Sequence, residues 1–146
     1  MLMPKKIKYR KVQKGRMGGL SKGARSLEFG DYGLQAVEPS WVTAQQIEAV
    51  RVTLSRKLKK VGRLYIRLFP HKPVTKKPAE TRMGKGKGNV EFWVSVVKRE
   101  CIMFEISGLD EISAKTLLKA AAYKLPMKTR IIKRDMISQA DKLQAE

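Results

Sequence analysis

The chain has 146 residues, 42% of them hydrophobic, which suits one domain with a modest core. Thirty-two Lys and Arg stand against thirteen Asp and Glu, a formal net charge of +19, so the compact chain repels itself and seeks a polyanion: nucleic acid, an anionic membrane or an acidic protein. A single Cys excludes an intrachain disulfide and fits a reducing compartment, and the longest apolar runs span only a few residues, too few to cross a bilayer.

The N-terminal "MLMPKKIKYRKVQKGR" is basic but lacks the apolar stretch of a secretory signal. Lysine alternates there with Ile7 and Tyr9, a pattern for a strand or an extended arm. "KGRMGGLSKGAR" is glycine-rich and has no hydrophobic period, so residues 1–25 read as a basic arm that orders on a partner. Nine cations precede the first acid, Glu28: Lys5, Lys6, Lys8, Arg10, Lys11, Lys14, Arg16, Lys22 and Arg25. "SLEFGDYGLQAVEPSW" predicts short extended pieces broken by Gly30, Gly33 and Pro39.

"TAQQIEAVRVTLSRKLKKVG" predicts a helix. Thr43 and Gln46 have the spacing of a capping box, and Gly62 is a natural stop. Ile47, Val50, Leu54, Leu58 and Val61 make one apolar face. Arg51, Arg56, Lys57, Lys59 and Lys60 lie mostly off it. Dipole compensation accounts for two or three of these cations, not for the cluster. "RLYIRLF" alternates, with Leu64, Ile66 and Leu68 on a core face and Arg63, Tyr65 and Arg67 on the outer one.

"PHKPVTKKPAETRMGKGKG" holds three prolines and then three glycines across nineteen residues, with no period. It reads as a long functional loop, 70–89. "NVEFWVSVV", with Val90, Phe92, Val94 and Val96 on one side, and "CIMFEI", with Ile102, Phe104 and Ile106, predict two strands joined as a hairpin through "KRE". "SGLDEISAKTLLKAAAYKLP" predicts a second helix with Ala114, Leu117, Leu118, Ala121, Ala122 and Leu125 buried, and "MKTRIIKR" a last strand. The layout is α+β: two helices packed on one face of a mainly antiparallel sheet. Residues 1–25 form the arm, 26–135 the body with its extended loop, and 136–146 a polar tail.

No catalytic constellation is present. His71 stands alone between prolines, and one His and one Cys thirty residues apart match no metal spacing. Cys101 reads as a small core or edge residue, and the carboxylates show no obvious pairing. "GGLSKGA" and "GKGKGN" fail the register of a phosphate loop, and a strand rather than a helix follows the second. A KH domain's glycine-basic loop lies between helices, which excludes that match. What the segment Arg82, Met83, Gly84, Lys85, Gly86, Lys87, Gly88 offers is a backbone that can approach a partner closely, with cations for phosphates. In an extended chain Lys85 and Lys87 would project the same way.

Several stretches together resemble the bacterial type of large-subunit ribosomal protein sixteen: "KYRK" and "KGR", "TAQQIEA", "IRLFPHKPVTKKPAETRMGKGKG", "VEFWV" and "AAYKLPMKT". The resemblance runs in order over about residues 1 to 135. It implies a structural, non-enzymatic α+β protein bound to large-subunit rRNA near the A site, with neighbouring ribosomal proteins, a late assembly role and help in positioning tRNA. It implies no cofactor, metal, membrane or homo-oligomer, and a place in the ribosome of a bacterial cytoplasm or an organelle. The arm would follow rRNA, and loop 82–88 would project toward tRNA. The family usually has Asp in place of His71 and Pro-Gly in place of Arg99 and Glu100. The rRNA-binding set is then the nine arm cations with Arg51, Arg56, Lys57, Lys59, Lys60, Arg63 and Arg67, while Tyr9, Trp41 and Tyr65 offer stacking faces.

Overall fold

The computed structural model describes residues 1–134; the expected tail lies outside them. In chain order the elements are β1 (Tyr32–Ala36), β2 (Ser40–Thr43), α1 (Ala44–Leu58), β3 (Arg63–Ile66), β4 (Lys72–Lys76), β5 (Asn89–Val97), β6 (Ile102–Ser107), α2 (Glu111–Ala122) and β7 (Thr129–Lys133). Thr43 starts α1 as its spacing predicts. Its Oγ1 accepts the Gln46 N–H at 3.2 Å and Gln46 Oε1 accepts the Thr43 N–H at 2.9 Å. Such a cap contributes about 1 kcal/mol. Ile47, Val50, Leu54 and Leu58 are buried on the predicted face.

The helix does not run on to Gly62. It ends at Leu58, where Lys59 turns to a φ of 47°, and Val61, expected on the apolar face, is 75% exposed. Gly62 has another task. A Cβ there would lie 2.7 Å from the Ser107 carbonyl oxygen, so the chain must leave the helix early to bring this glycine against the end of β6. In α2, Asp110 Oδ2 accepts the Ser113 N–H at 3.2 Å. Ala114, Leu117, Leu118 and Ala121 are buried, and Ala122 and Leu125 pack against the core, as the period requires.

The fold class is α+β, but the strands form two antiparallel sheets rather than one. The larger has the order β3-β6-β1-β7 and the smaller β2-β5-β4. The expected hairpin between β5 and β6 is therefore absent from the described residues. The connector explains this. Glu100 N–H donates to the Ala36 carbonyl and Ala36 N–H to the Cys101 carbonyl, both at 2.8 Å. The end of β1 captures the chain as it leaves β5, and β6 continues alongside β1. Glu100 has a φ of 67°, a conformation that favours glycine.

Other corrections follow from the same packing. β6 is buried on both faces, Met103 and Glu105 as well as Ile102, Phe104 and Ile106: it is a central strand between β3 and β1, and residues 29–30 lie against Glu105. In β5 only the C-terminal half reaches the core: Val94 and Val97 are buried, while Phe92 is exposed. Gly33 lies inside β1 instead of breaking it. A Cβ there would meet Leu27 Cδ2 at 2.5 Å. Within the long loop, residues 72–76 form a strand despite Pro73. β4 is the edge of its sheet, where a residue without an N–H leaves no ladder bond unmade.

Candidate nucleic-acid interface

The interface begins where the arm joins the body. Glu105, in the middle of β6, has a fully buried side chain. Its carboxylate accepts the backbone N–H groups of Phe29 and Gly30 at 2.7 Å each, and more weakly that of Glu28. Arg67 Nη1 donates to it at 2.8 Å and to the Ser26 carbonyl at 2.9 Å. The Arg67 guanidinium lies over the Phe29 ring, which stacks on Tyr65 with centroids 5.6 Å apart. A buried carboxylate with this many donors is satisfied, and it holds residues 28–30 in one place. Arg67 is thus the one expected rRNA-binding cation that is not exposed. Its side chain is 12% exposed and already engaged by Glu105 and Glu28.

From that anchor the arm runs back over the body. Ile102 N–H donates to the Ala24 carbonyl at 2.7 Å and Ser21 N–H to the Arg99 carbonyl at 3.0 Å. Arg25 pairs with Glu100 at 2.5 Å. Nearer the start, Lys11 Nζ donates to the Lys87 carbonyl at 2.9 Å, Lys87 Nζ to the Val12 carbonyl at 2.5 Å, and Lys72 Nζ to the Lys14 carbonyl. Arm and loop therefore touch through lysines.

The loop tip is not extended. Gly84, Lys85 and Gly86 have φ values of 101°, 60° and 91°, so the tip curls, and Lys87 turns back to the arm instead of pointing alongside Lys85. Nothing lies within 4 Å of a Cβ at Gly84 or Gly86. These glycines serve the backbone conformation, not packing. Lys77 Nζ donates to the Gly84 carbonyl at 2.8 Å and braces the curl. Residues 82–87 are exposed, Met83 to 95%.

A second cationic region lies at the C-terminal end of α1, where Arg56, Lys57, Lys59, Lys60 and Arg63 are all exposed. Arg51 is exposed too but pairs with Glu48 one turn back. That hydrogen bond holds the Glu48 carboxyl below its ordinary range and raises Arg51. Among the described residues, Lys5, Lys6, Lys8, Arg10, Lys14, Arg16 and Lys22 have exposed side chains and no carboxylate partner.

Two of the three aromatic candidates are partly occupied. Tyr65 stacks on Phe29, and Lys72 Nζ lies 5.0 Å from the Trp41 ring centroid. Tyr9 is 67% exposed, beside Lys8. Sequence reasoning missed Lys72 and Lys77, which hold arm and loop tip. Val74 and Thr75, β-branched between them, carried a strand signal that the flanking prolines masked. It missed Glu105 as well, since its place in an alternating strand suggested solvent. Cys101 is half-buried, and burial pushes its thiol up. His71 is exposed, and its Nδ1 lies 3.2 Å from the Phe69 carbonyl oxygen. No group of three metal-binding side chains and no helix long and apolar enough to cross a membrane occurs among the described residues.

Comparison with known proteins matches residues 4–132 to the family described as Ribosomal protein L16p/L10e. A relative from Pseudothermotoga lettingae, named Large ribosomal subunit protein uL16, is 59% identical over 137 residues, 94% of this chain and 96% of the relative. One of the same name from Thermus thermophilus is 54% identical over 140 residues, 96% of this chain and 99% of the relative.

Proposed function

Because the chain belongs to the ribosomal protein L16p/L10e family, we propose that its arm, the end of α1 and loop 82–88 bind large-subunit rRNA and help position tRNA. The chain is a structural protein of the large ribosomal subunit, not an enzyme, with rRNA and ribosomal proteins as its partners. Its place is the ribosome, in the bacterial cytoplasm.

The observation that carries the finer reading is the exposed cation set. It comes from segments far apart in sequence, and most of it lacks a carboxylate partner among the described residues. Exposed cations without partners are free to displace counterions from phosphates, and that release supplies most of the affinity for a polyphosphate. The arm, residues 1–25, tracks rRNA from its anchor at Glu105. The body, 26–135, holds the α1 cluster at a set distance from it. Arg82 and Lys85, on an exposed glycine-rich curl, reach the tRNA side, while Lys87 of the same loop turns back to the arm. Joining several rRNA segments suits a protein that enters late, once those segments have formed.

The test is binding of the full chain to large-subunit rRNA across a salt series. Affinity falls steeply and log-linearly with salt if phosphates dominate; binding unchanged between about 50 and 500 mM would defeat the reading. For tRNA, Arg82→Ala with Lys85→Ala reduces crosslinking of A-site tRNA to the chain while leaving its incorporation into large subunits intact. Unchanged crosslinking removes the tRNA role.

A further inference from the structure

A recess of about 330 Å³ lies between the arm and β4, lined by residues that include Val12, Lys14, Trp41, Lys72 and Lys87. We propose that this recess takes one phosphodiester group of an RNA backbone, and that the bound phosphate locks the arm to the loop. The inference rests on the RNA-binding reading above and adds a defined site to it.

Three lysines from three segments converge here, with Lys11 beside them. No acid lines the recess. Elsewhere, Arg25, Arg51, Arg67, Lys115, Lys128 and Lys133 each have a carboxylate. At the recess the ammonium groups of Lys11, Lys72 and Lys87 each donate to a backbone carbonyl. An ammonium has three N–H donors, so each keeps two for a ligand. Cations gathered without an anion repel one another, and a phosphate among them reverses the sign of the interaction.

The site is built for charge and not for a base. Lys72 covers a face of Trp41, the one aromatic ring in the lining, so that face is not a stacking platform. The arm bends around the same ammonium. Gly15 has a φ of 70°, and Lys72 Nζ would lie 3.5 Å from a Cβ there. A phosphate seated here touches both arm and loop, and neither segment holds all the cations by itself.

Trp41 reports on the site. The chain has two tryptophans, and Trp93→Phe leaves Trp41 alone. The full-length Trp93→Phe chain is titrated with a single-stranded RNA oligonucleotide and, separately, with inorganic tripolyphosphate, following Trp41 emission. The RNA gives a saturable change. Lys72→Ala and Lys87→Ala, folded by circular dichroism, each lower the slope of log affinity against log salt, by at most the value of about 0.7 that belongs to the one phosphate they share. Lys57→Ala with Lys60→Ala weakens RNA binding but leaves the Trp41 change at saturation intact. RNA that binds with Trp41 silent and both slopes at the wild-type value overturns the recess and spares the RNA reading. Tripolyphosphate that moves Trp41 where RNA does not overturns RNA as the source of the phosphate. A chain that binds no RNA overturns both.

Discussion

Replacing Arg67 with Met strands a carboxylate in the core. Glu105 is fully buried, and Arg67, with a side chain 12% exposed, is its only cationic partner among the described residues. Removing one member of a buried pair costs about 3–5 kcal/mol. Two backbone N–H groups at 2.7 Å still solvate the Glu105 charge, which places Arg67→Met at the low end, ~3 kcal/mol. For a chain of this length that lowers the Tm by about 10 °C. The double variant Arg67→Met with Glu105→Leu is the sharper test. For an isolated ion pair, apolar replacement of both partners is often neutral. Here it leaves the Phe29 and Gly30 N–H groups without their acceptor, at about 1–3 kcal/mol each. The double variant therefore stays at least ~2 kcal/mol below wild type. Urea denaturation followed by tryptophan emission measures all three proteins. Arg67→Met within about 1 kcal/mol of wild type, at unchanged m, refutes the reasoning, and so does a double variant as stable as wild type.

Gly30→Ala and Gly84→Ala separate packing from backbone conformation. At Gly30 a Cβ would lie 2.7 Å from the Ile106 carbonyl oxygen, so stability falls by about 1–3 kcal/mol. At Gly84 the φ is 101° but the space is open, so the exposed loop relaxes, the urea midpoint barely moves, and RNA affinity falls instead. Equal stability losses contradict this. Hydrogen bonds from Lys115 and then Lys133 hold the Glu111 carboxyl below its ordinary value of 4.5. A carboxyl depressed on folding stabilises above its unfolded pKa, and the gain fades as pH falls through the folded one. The Tm difference between wild type and Glu111→Gln therefore shrinks from about pH 6 to about pH 3; a difference that grows toward acid is the contrary result. Burial pushes the Cys101 thiol up, so iodoacetamide labels it more slowly at neutral pH in the native chain than in urea. Equal rates contradict that.

Both helices were legible because their signals are local. Thr43 and Gln46 stand one turn apart, and the stripe from Ala114 to Ala121 needs only the helical period. Strand existence was legible from alternation in 63–69, 89–97 and 102–107. Strand partnership was not. β5 and β6 look like hairpin arms, yet the bonds that separate them come from Ala36, more than sixty residues earlier. β4 was hidden because proline argues against a central strand and says little about an edge. At the interface, charge along the chain was enough to mark the exposed cations. It could not show that Arg67 turns inward, because its partner Glu105 is thirty-eight residues away. Nor could it show that Lys11 and Lys87 share contacts seventy-six residues apart.

The strand order β3-β6-β1-β7 has a consequence for the nascent chain. β1 is made early, but its neighbours come from 102–107 and 129–133, so the larger sheet stays open until nearly all of the described chain has left the exit tunnel. The first twenty-five residues emerge before Glu105 exists to tether them. During synthesis the polypeptide is a cationic thread ahead of an unfinished body, and the edges of its strands stay unpaired until β7 arrives.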